Sequence, residues 1–159
     1  MNHFQSLKTL SYVQVRRILR IWIQTIIPPA ITTALYFLIF GELIGSRIGE
    51  MPGYEGLTYL EFMVPGLIML AVITNSYANV ASAFFGAKFQ KAIEEILISP
   101  MANWAILLGF IVGGIARGVL VGVVVVLVSL FFTNFGISNI FLTLFSILLT
   151  STLFSILGL

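Results

Sequence analysis

The chain has 159 residues, 59% of them hydrophobic and only 9% charged, where a soluble domain carries roughly 25% charged residues. A water-soluble fold is excluded, because a core of this length cannot hide so much apolar surface and the solvent left to cover it is lipid. The net charge of +2, with basic residues gathered near the N-terminus, points to membrane orientation and not to nucleic-acid binding; cysteine is absent, and a single histidine, His3, leaves little room for metal or imidazole chemistry.

The first predicted element covers 2–21. Gln5, Lys8, Tyr12, Arg16 and Arg20 recur at helical spacing on one side, while Leu7, Leu10, Val13, Ile18 and Ile21 lie more loosely on the other, interrupted by Gln14 and Arg17. This pattern predicts an interfacial helix on the membrane surface, with a plain basic tail as the alternative. A cleaved signal peptide does not fit: the apolar run that follows is too long, Pro28 and Pro29 interrupt it, and no small-x-small site occurs before Glu42.

Four apolar stretches reach the ~20 residues a helix needs to cross a hydrocarbon core of about 30 Å. The first span is expected over 22–40 and carries Thr25, Pro29, Thr32 or Thr33, and Tyr36. Six glycines and prolines crowd the next connection, 41–61, where they oppose a long regular helix and predict a compact external loop. No P-loop lysine and hydroxyl follow a strand there, so no nucleotide site is encoded.

The second span, 62–85, places Asn75, Asn79 and Ser82 at i, i+4 and i+7. Polar groups in hydrocarbon persist only where something satisfies them, so both stripes face another helix or a wet pathway. Interhelical hydrogen bonds of about 0.6 kcal/mol each explain them equally well. Glu61, at the outer edge, is read as interfacial.

In the connection 86–103, Phe85, Phe89, Ile93 and Ile96 or Leu97 share one helical face, and Lys88, Lys91, Glu94 and Glu95 another. Lys91 and Glu95 are spaced to pair, Pro100 to stop the helix and Asn103 to cap the next one. Such a helix either offers a docking surface to a soluble partner or floats in the headgroup layer.

The third span, 104–132, carries Gly114, Gly118 and Gly122 at i, i+4 and i+8, preceded by Gly109 and Gly113. A face without side chains lets another backbone approach closely. Arg117 on this span is a functional candidate as an intramembrane charge, but the run is long enough for it to sit near the cytoplasmic end and snorkel to the headgroups, the reading preferred from sequence. The fourth span, 140–159, stops inside an apolar run, so a further segment is expected.

Lys and Arg counts orient the chain. The tail holds Lys8, Arg16, Arg17 and Arg20, the second connection Lys88 and Lys91, the first only Arg47 against four glutamates, and the third none. The N-terminus and residues 86–103 are therefore expected in the cytoplasm. There is no histidine dyad, HExxH or intramembrane carboxylate pair, so an enzyme is not expected.

Three segments carry a family resemblance: Phe62-Met-Val-Pro65-Gly66-Leu67, Phe40-Gly41 with Ile44-Gly45, and Ile93-Glu94-Glu95-Ile96-Leu97-Ile98-Ser99-Pro100. In that order they resemble the ABC-2 type transporter permeases, most closely the small bacterial inner-membrane permeases of the drug and polysaccharide exporter group, over the whole of 1–159. The resemblance implies an all-α transmembrane bundle with four spans present of an expected six, an N-terminal interfacial helix and a cytoplasmic coupling helix. It also implies a dimer with a second permease copy, and a separate cytoplasmic ATPase that carries ATP and Mg while this chain binds no cofactor. Phe89, Lys91, Ile93, Glu94, Glu95, Leu97 and Pro100 would then couple to the ATPase. Thr25, Thr32, Thr33, Tyr36, Asn75, Asn79 and Ser82 are candidate pathway or interface residues. The expected function is export of an amphiphilic or glycan-type substrate by alternating access; a membrane scaffold or a passive channel are the competing readings.

Overall fold

The computed structural model describes residues 3–45, 58–98, 102–133 and 139–159. They form α1 (His3–Arg20), α2 (Trp22–Leu38), a π-helical segment (Ile39–Gly45), α3 (Tyr59–Phe89), α4 (Ala92–Ile98), α5 (Asn103–Phe132) and α6 (Ile140–Leu157). Among the described residues four stretches are long and apolar enough to cross a membrane: Trp22–Gly41, Tyr59–Phe89, Asn103–Phe132 and Ile140–Leu157. The fold is an all-α polytopic bundle, as composition demands, since helices satisfy every backbone polar group within one segment.

Local chemistry sets the helix ends. Thr58 N donates to Glu61 Oε2 at 3.0 Å, so Glu61 closes the start of α3, and Leu142 N donates to Asn139 Oδ1 at 3.4 Å at the start of α6. The cap expected of Asn103 falls instead to Ala102, which has extended backbone and no side-chain capping bond, so α5 begins on Asn103 itself. Pro28 and Pro29 lie within α2 and Pro65 within α3. Neither proline of the pair has an N–H to give to the carbonyls of Gln24 and Thr25 one turn back.

The helix expected to run unbroken from Phe85 to Leu97 is interrupted. Lys91 adopts φ 57°, a left-handed conformation that ends α3, and Glu94 N donates to Lys91 O at 3.0 Å to begin α4. Phe85 and Phe89 consequently stay together on the end of α3, their rings stacked at 6.2 Å, while Ile93 belongs to a separate helix.

The centre of the bundle is α5, which packs against α1, α2, α3 and α6. Its glycines form two faces. A Cβ added at Gly109 or Gly113 would run into Leu10 and Gln14, so this pair seats α1. The inner face of α1 accordingly includes Leu10, Gln14 and buried Ile18, whereas Val13, expected on the apolar side, is exposed. The second face receives α3 and α6 together: Gly122 meets Val72 and Ile147, Gly118 meets Ser76 and Ser151, and Gly114 meets Val80 and Ser155. This three-rung ladder rises through α3 and α6 as it falls through α5, so α3 and α6 run antiparallel to α5. Phe37 near the end of α2 lies 5.7 Å from Phe132 at the end of α5, which makes α2 parallel to α5. Successive spans therefore alternate in direction.

Apolar side chains fill the space on either side of the ladder. Phe37, Val64, Ile68, Val72, Val121, Val125 and Ile147 form one buried cluster, and Val80, Ala83, Ile106 and Phe110 another. Contact between α2 and α3 is sparse by comparison, and the bundle opens there.

Candidate functional site

The opening is a groove of about 390 Å³ between α2 and α3, floored by α5. Gln24, Pro28, Pro29, Thr32, Thr33 and Tyr36 come from α2; Leu67, Leu70, Ala71, Thr74 and Asn75 from α3; Arg117 alone from α5. Spacing explains the assembly. Positions 24, 28, 32 and 36 recur every four residues and so share one face of α2, and 67, 71 and 75 do the same on α3. Gln24, Thr32, Thr33 and Tyr36 of α2 face Thr74 and Asn75 of α3 across this space, with Leu67, Leu70 and Ala71 beside them.

Because α2 and α3 are antiparallel, the groove has two different ends. Gln24, Asn75 and Arg117 gather at one end, and Leu67 and Tyr36 at the other. Along α2, Gln24 to Tyr36 spans about 18 Å at ~1.5 Å rise per residue. Thr74 Oγ1 donates to Leu70 O at 2.8 Å and Asn75 Nδ2 to Ala71 O at 3.0 Å, which ties these two side chains to their own helix and leaves their oxygens free to accept from the groove.

Arg117 is half-buried, and its Nη1 donates to Asn79 Oδ1 at 3.4 Å. Its Nε is buried without a partner, and among the described residues no carboxylate pairs with it. The snorkelling expected from sequence is replaced by an inward orientation: Arg117 crosses to α3 and enters the groove wall. Depth along the span was the wrong criterion, since the residue lies opposite the early part of α2, with Gln24, and still turns into the protein.

The remaining stripe residues separate. Thr25 is fully buried, and its Oγ1 donates to Ile21 O at 3.1 Å, tying down the bend between α1 and α2 away from the groove. Asn79 is the partner of Arg117. Ser82 is exposed and donates to Asn79 O at 3.2 Å on its own helix. Of the seven residues read as one set, Thr32, Thr33, Tyr36 and Asn75 line the groove, Asn79 supports it, and Thr25 and Ser82 lie outside it.

Beyond Asn75 and Asn79 toward the end of α3, Phe89 is exposed, Lys91 forms the turn, and Ile93 and Glu94 sit on α4. The backbone of Glu95 and Leu97 continues α4, their side chains lie outside the described residues, and Pro100 lies outside them altogether. Among the described residues no group of three His, Cys, Asp or Glu side chains is placed to hold a metal.

Sequence reading missed Ser151 and Ser155. They repeat at i and i+4 on α6 and complete the ladder opposite Gly118 and Gly114: Ser76 Oγ donates to Ser151 Oγ at 3.2 Å, and Ser151 Oγ donates to Ile115 O at 3.1 Å. Their spacing of one turn is the pattern that marks a close interhelical contact, but Thr143, Ser146, Thr150 and Thr152 on the same span carry hydroxyls too, so spacing alone does not single the pair out.

The family model for the ABC-2 type transporter matches residues 5–159. The inner membrane transport permease YadH of Escherichia coli (strain K12) is 50% identical over 157 residues, and the protein of the same name from Shigella flexneri is equally similar. Each match takes in 99% of this chain and 60% of the relative, so the chain spans about 60% of the length of the curated relatives it matches. No solved structure matches the chain.

Proposed function

From the premise that the chain belongs to the ABC-2 type transporter family, we propose that it forms part of the permease of an ABC exporter in the bacterial inner membrane. A separate cytoplasmic ATPase, carrying ATP and Mg, drives it, and a second permease copy completes the transporter. The observation that carries this reading is the groove between α2 and α3. Two spans bring Gln24, Thr32, Thr33, Tyr36, Thr74 and Asn75 to a common space of ligand size, within the ~300–1,000 Å³ of small-molecule clefts. Helix glue alone would have consumed those groups in direct contacts.

The physical division of labour is clear. The glycine–serine ladder locks α3, α5 and α6 into a unit, whereas α2 meets α3 only sparingly. A rigid unit beside a loosely attached helix is the arrangement in which a shift of one element opens or closes the space between them. The end of α3 and α4, placed in the cytoplasm by the distribution of Lys and Arg, is where the ATPase grips. Its closure moves α3 relative to α2 and turns the groove from inward-facing to outward-facing, carrying an amphiphilic or glycan-type substrate outward. The chain performs no hydrolysis.

The test is a reconstituted full-length permease with its ATPase. Glu94→Ala with Glu95→Ala is expected to weaken ATPase capture severalfold and to abolish substrate-stimulated hydrolysis, with membrane insertion intact. Undiminished capture contradicts the coupling assignment. A scaffold that uses the same ladder only to hold partners would leave hydrolysis unchanged across all amphiphiles offered.

A further inference from the structure

The groove has a direction and a charge, and together these select a ligand. Among the described residues Arg117 is its only ionisable wall residue apart from the Tyr36 phenol, and it lies at the end shared with Gln24 and Asn75. A guanidinium presents five N–H donors in a planar fork. One is engaged by Asn79, at the long distance of 3.4 Å, and the buried Nε has no partner. Ionisable side chains on membrane helices normally pair with one another or with backbone carbonyls. Asn79 contributes a neutral oxygen and no compensating charge. The opposite end, about 18 Å away at ~1.5 Å per residue of α2, offers Leu67 and the Tyr36 ring.

The geometry points to an amphiphile with an anionic, oxyanion-type headgroup as the ligand of this groove. Its headgroup sits on Arg117, with Gln24 and Asn75 beside it, and its apolar chain lies along α2 toward Leu67 and Tyr36. Arg117 is thus the residue that sets specificity for charge. Arg suits the role better than Lys, because its fork grips two oxygens of a phosphate or carboxylate at once. Calling the ligand the transported substrate rests on the permease reading above; binding itself requires no ATP.

The test uses the full-length permease in phosphatidylcholine nanodiscs and three probes: a single-chain lysophosphatidic acid, a monoacylglycerol with the same chain, and inorganic phosphate. The wild type is expected to bind the anionic amphiphile at least tenfold more tightly than the neutral one. Arg117→Gln removes that difference while leaving the neutral affinity within twofold, and Arg117→Lys retains part of it. Independently of any change at Arg117, Thr32→Cys is expected to react with maleimide and to be protected by the anionic amphiphile, residues 1–159 holding no other cysteine and any cysteine elsewhere in the full-length permease being replaced by serine. Equal affinity for the two amphiphiles, an unchanged ratio in Arg117→Gln, or no protection of the introduced cysteine overturns the inference. So does equal competition by inorganic phosphate. Intact discrimination without ATP-driven transport overturns the permease reading and leaves this site standing.

Discussion

A single methyl group at Gly118 tests the packing on which the groove depends. That Cβ meets the Oγ atoms of Ser76 and Ser151, with Ser151 Cβ at 3.1 Å, so rotating the hydroxyls away relieves only part of the conflict. The same oxygens make the 3.2 Å bond between α3 and α6, and Ser151 also donates to Ile115 O. Overpacking costs about 1–3 kcal/mol, loss of the interhelical bond about 0.6 kcal/mol, and replacing a helical glycine by alanine returns about 0.8–1 kcal/mol. Gly118→Ala should therefore destabilise by about 0.6–2.8 kcal/mol on balance. Gly66→Ala is the control, because no atom lies within 4 Å of its Cβ, and it should be neutral or stabilising by up to about 1 kcal/mol. Equilibrium unfolding of the full-length protein in lipid bicelles measures both. Adding Ser76→Ala and Ser151→Ala to Gly118→Ala removes the clashing oxygens and should recover part of the loss, a non-additivity expected of residues in contact. If Gly118→Ala is as stable as Gly66→Ala, the ladder does not hold these helices together.

Three further outcomes follow from individual contacts. Asn79→Asp places a carboxylate against Arg117, so the groove loses its unpaired cation; discrimination between anionic and neutral amphiphiles should vanish in binding assays while the protein still inserts. Lys91→Gly relieves the left-handed φ of 57° and should stabilise the α3–α4 turn by about 1 kcal/mol, whereas Lys91→Val destabilises it; thermal denaturation in detergent checks both. Glu61→Ala removes the acceptor of Thr58 N and should cost about 1 kcal/mol, with Glu61→Gln retaining most of the stability in the same assay.

Hydropathy was enough to find the four apolar helices, because length and composition alone define a span. Faces were legible too: 114, 118 and 122 share a stripe in any α-helix, as do 75 and 79. Partners were not. Periodicity assigns a residue to a side of its own helix but says nothing of which helix lies opposite, so the pair Gly109 and Gly113, which precedes the Gly114 stripe, did not reveal that it seats α1. Arg117 was misjudged for the same reason: its inward turn depends on Asn79, which is remote in sequence. Thr25 and Ser82 share the pathway-or-interface set with the groove residues because a hydroxyl bonded to its own helix has the same spacing as one facing a cavity. The break at Lys91 left no trace, since neither glycine nor proline marks it and the apolar spacing continues across it.

The central claim is that ATPase action opens and closes the space between α2 and α3. Tyr36 and Leu67 line it from opposite walls, and because residues 1–159 hold no cysteine, a Tyr36→Cys/Leu67→Cys pair can be placed in the full-length permease, with any cysteine outside 1–159 replaced by serine, and assembled with its ATPase. The yield of cross-linking by a short bifunctional maleimide, compared between the nucleotide-free and vanadate-trapped states, measures the separation directly. The account predicts a severalfold change between the two states; the same yield in both, from a complex that hydrolyses ATP normally, would contradict it.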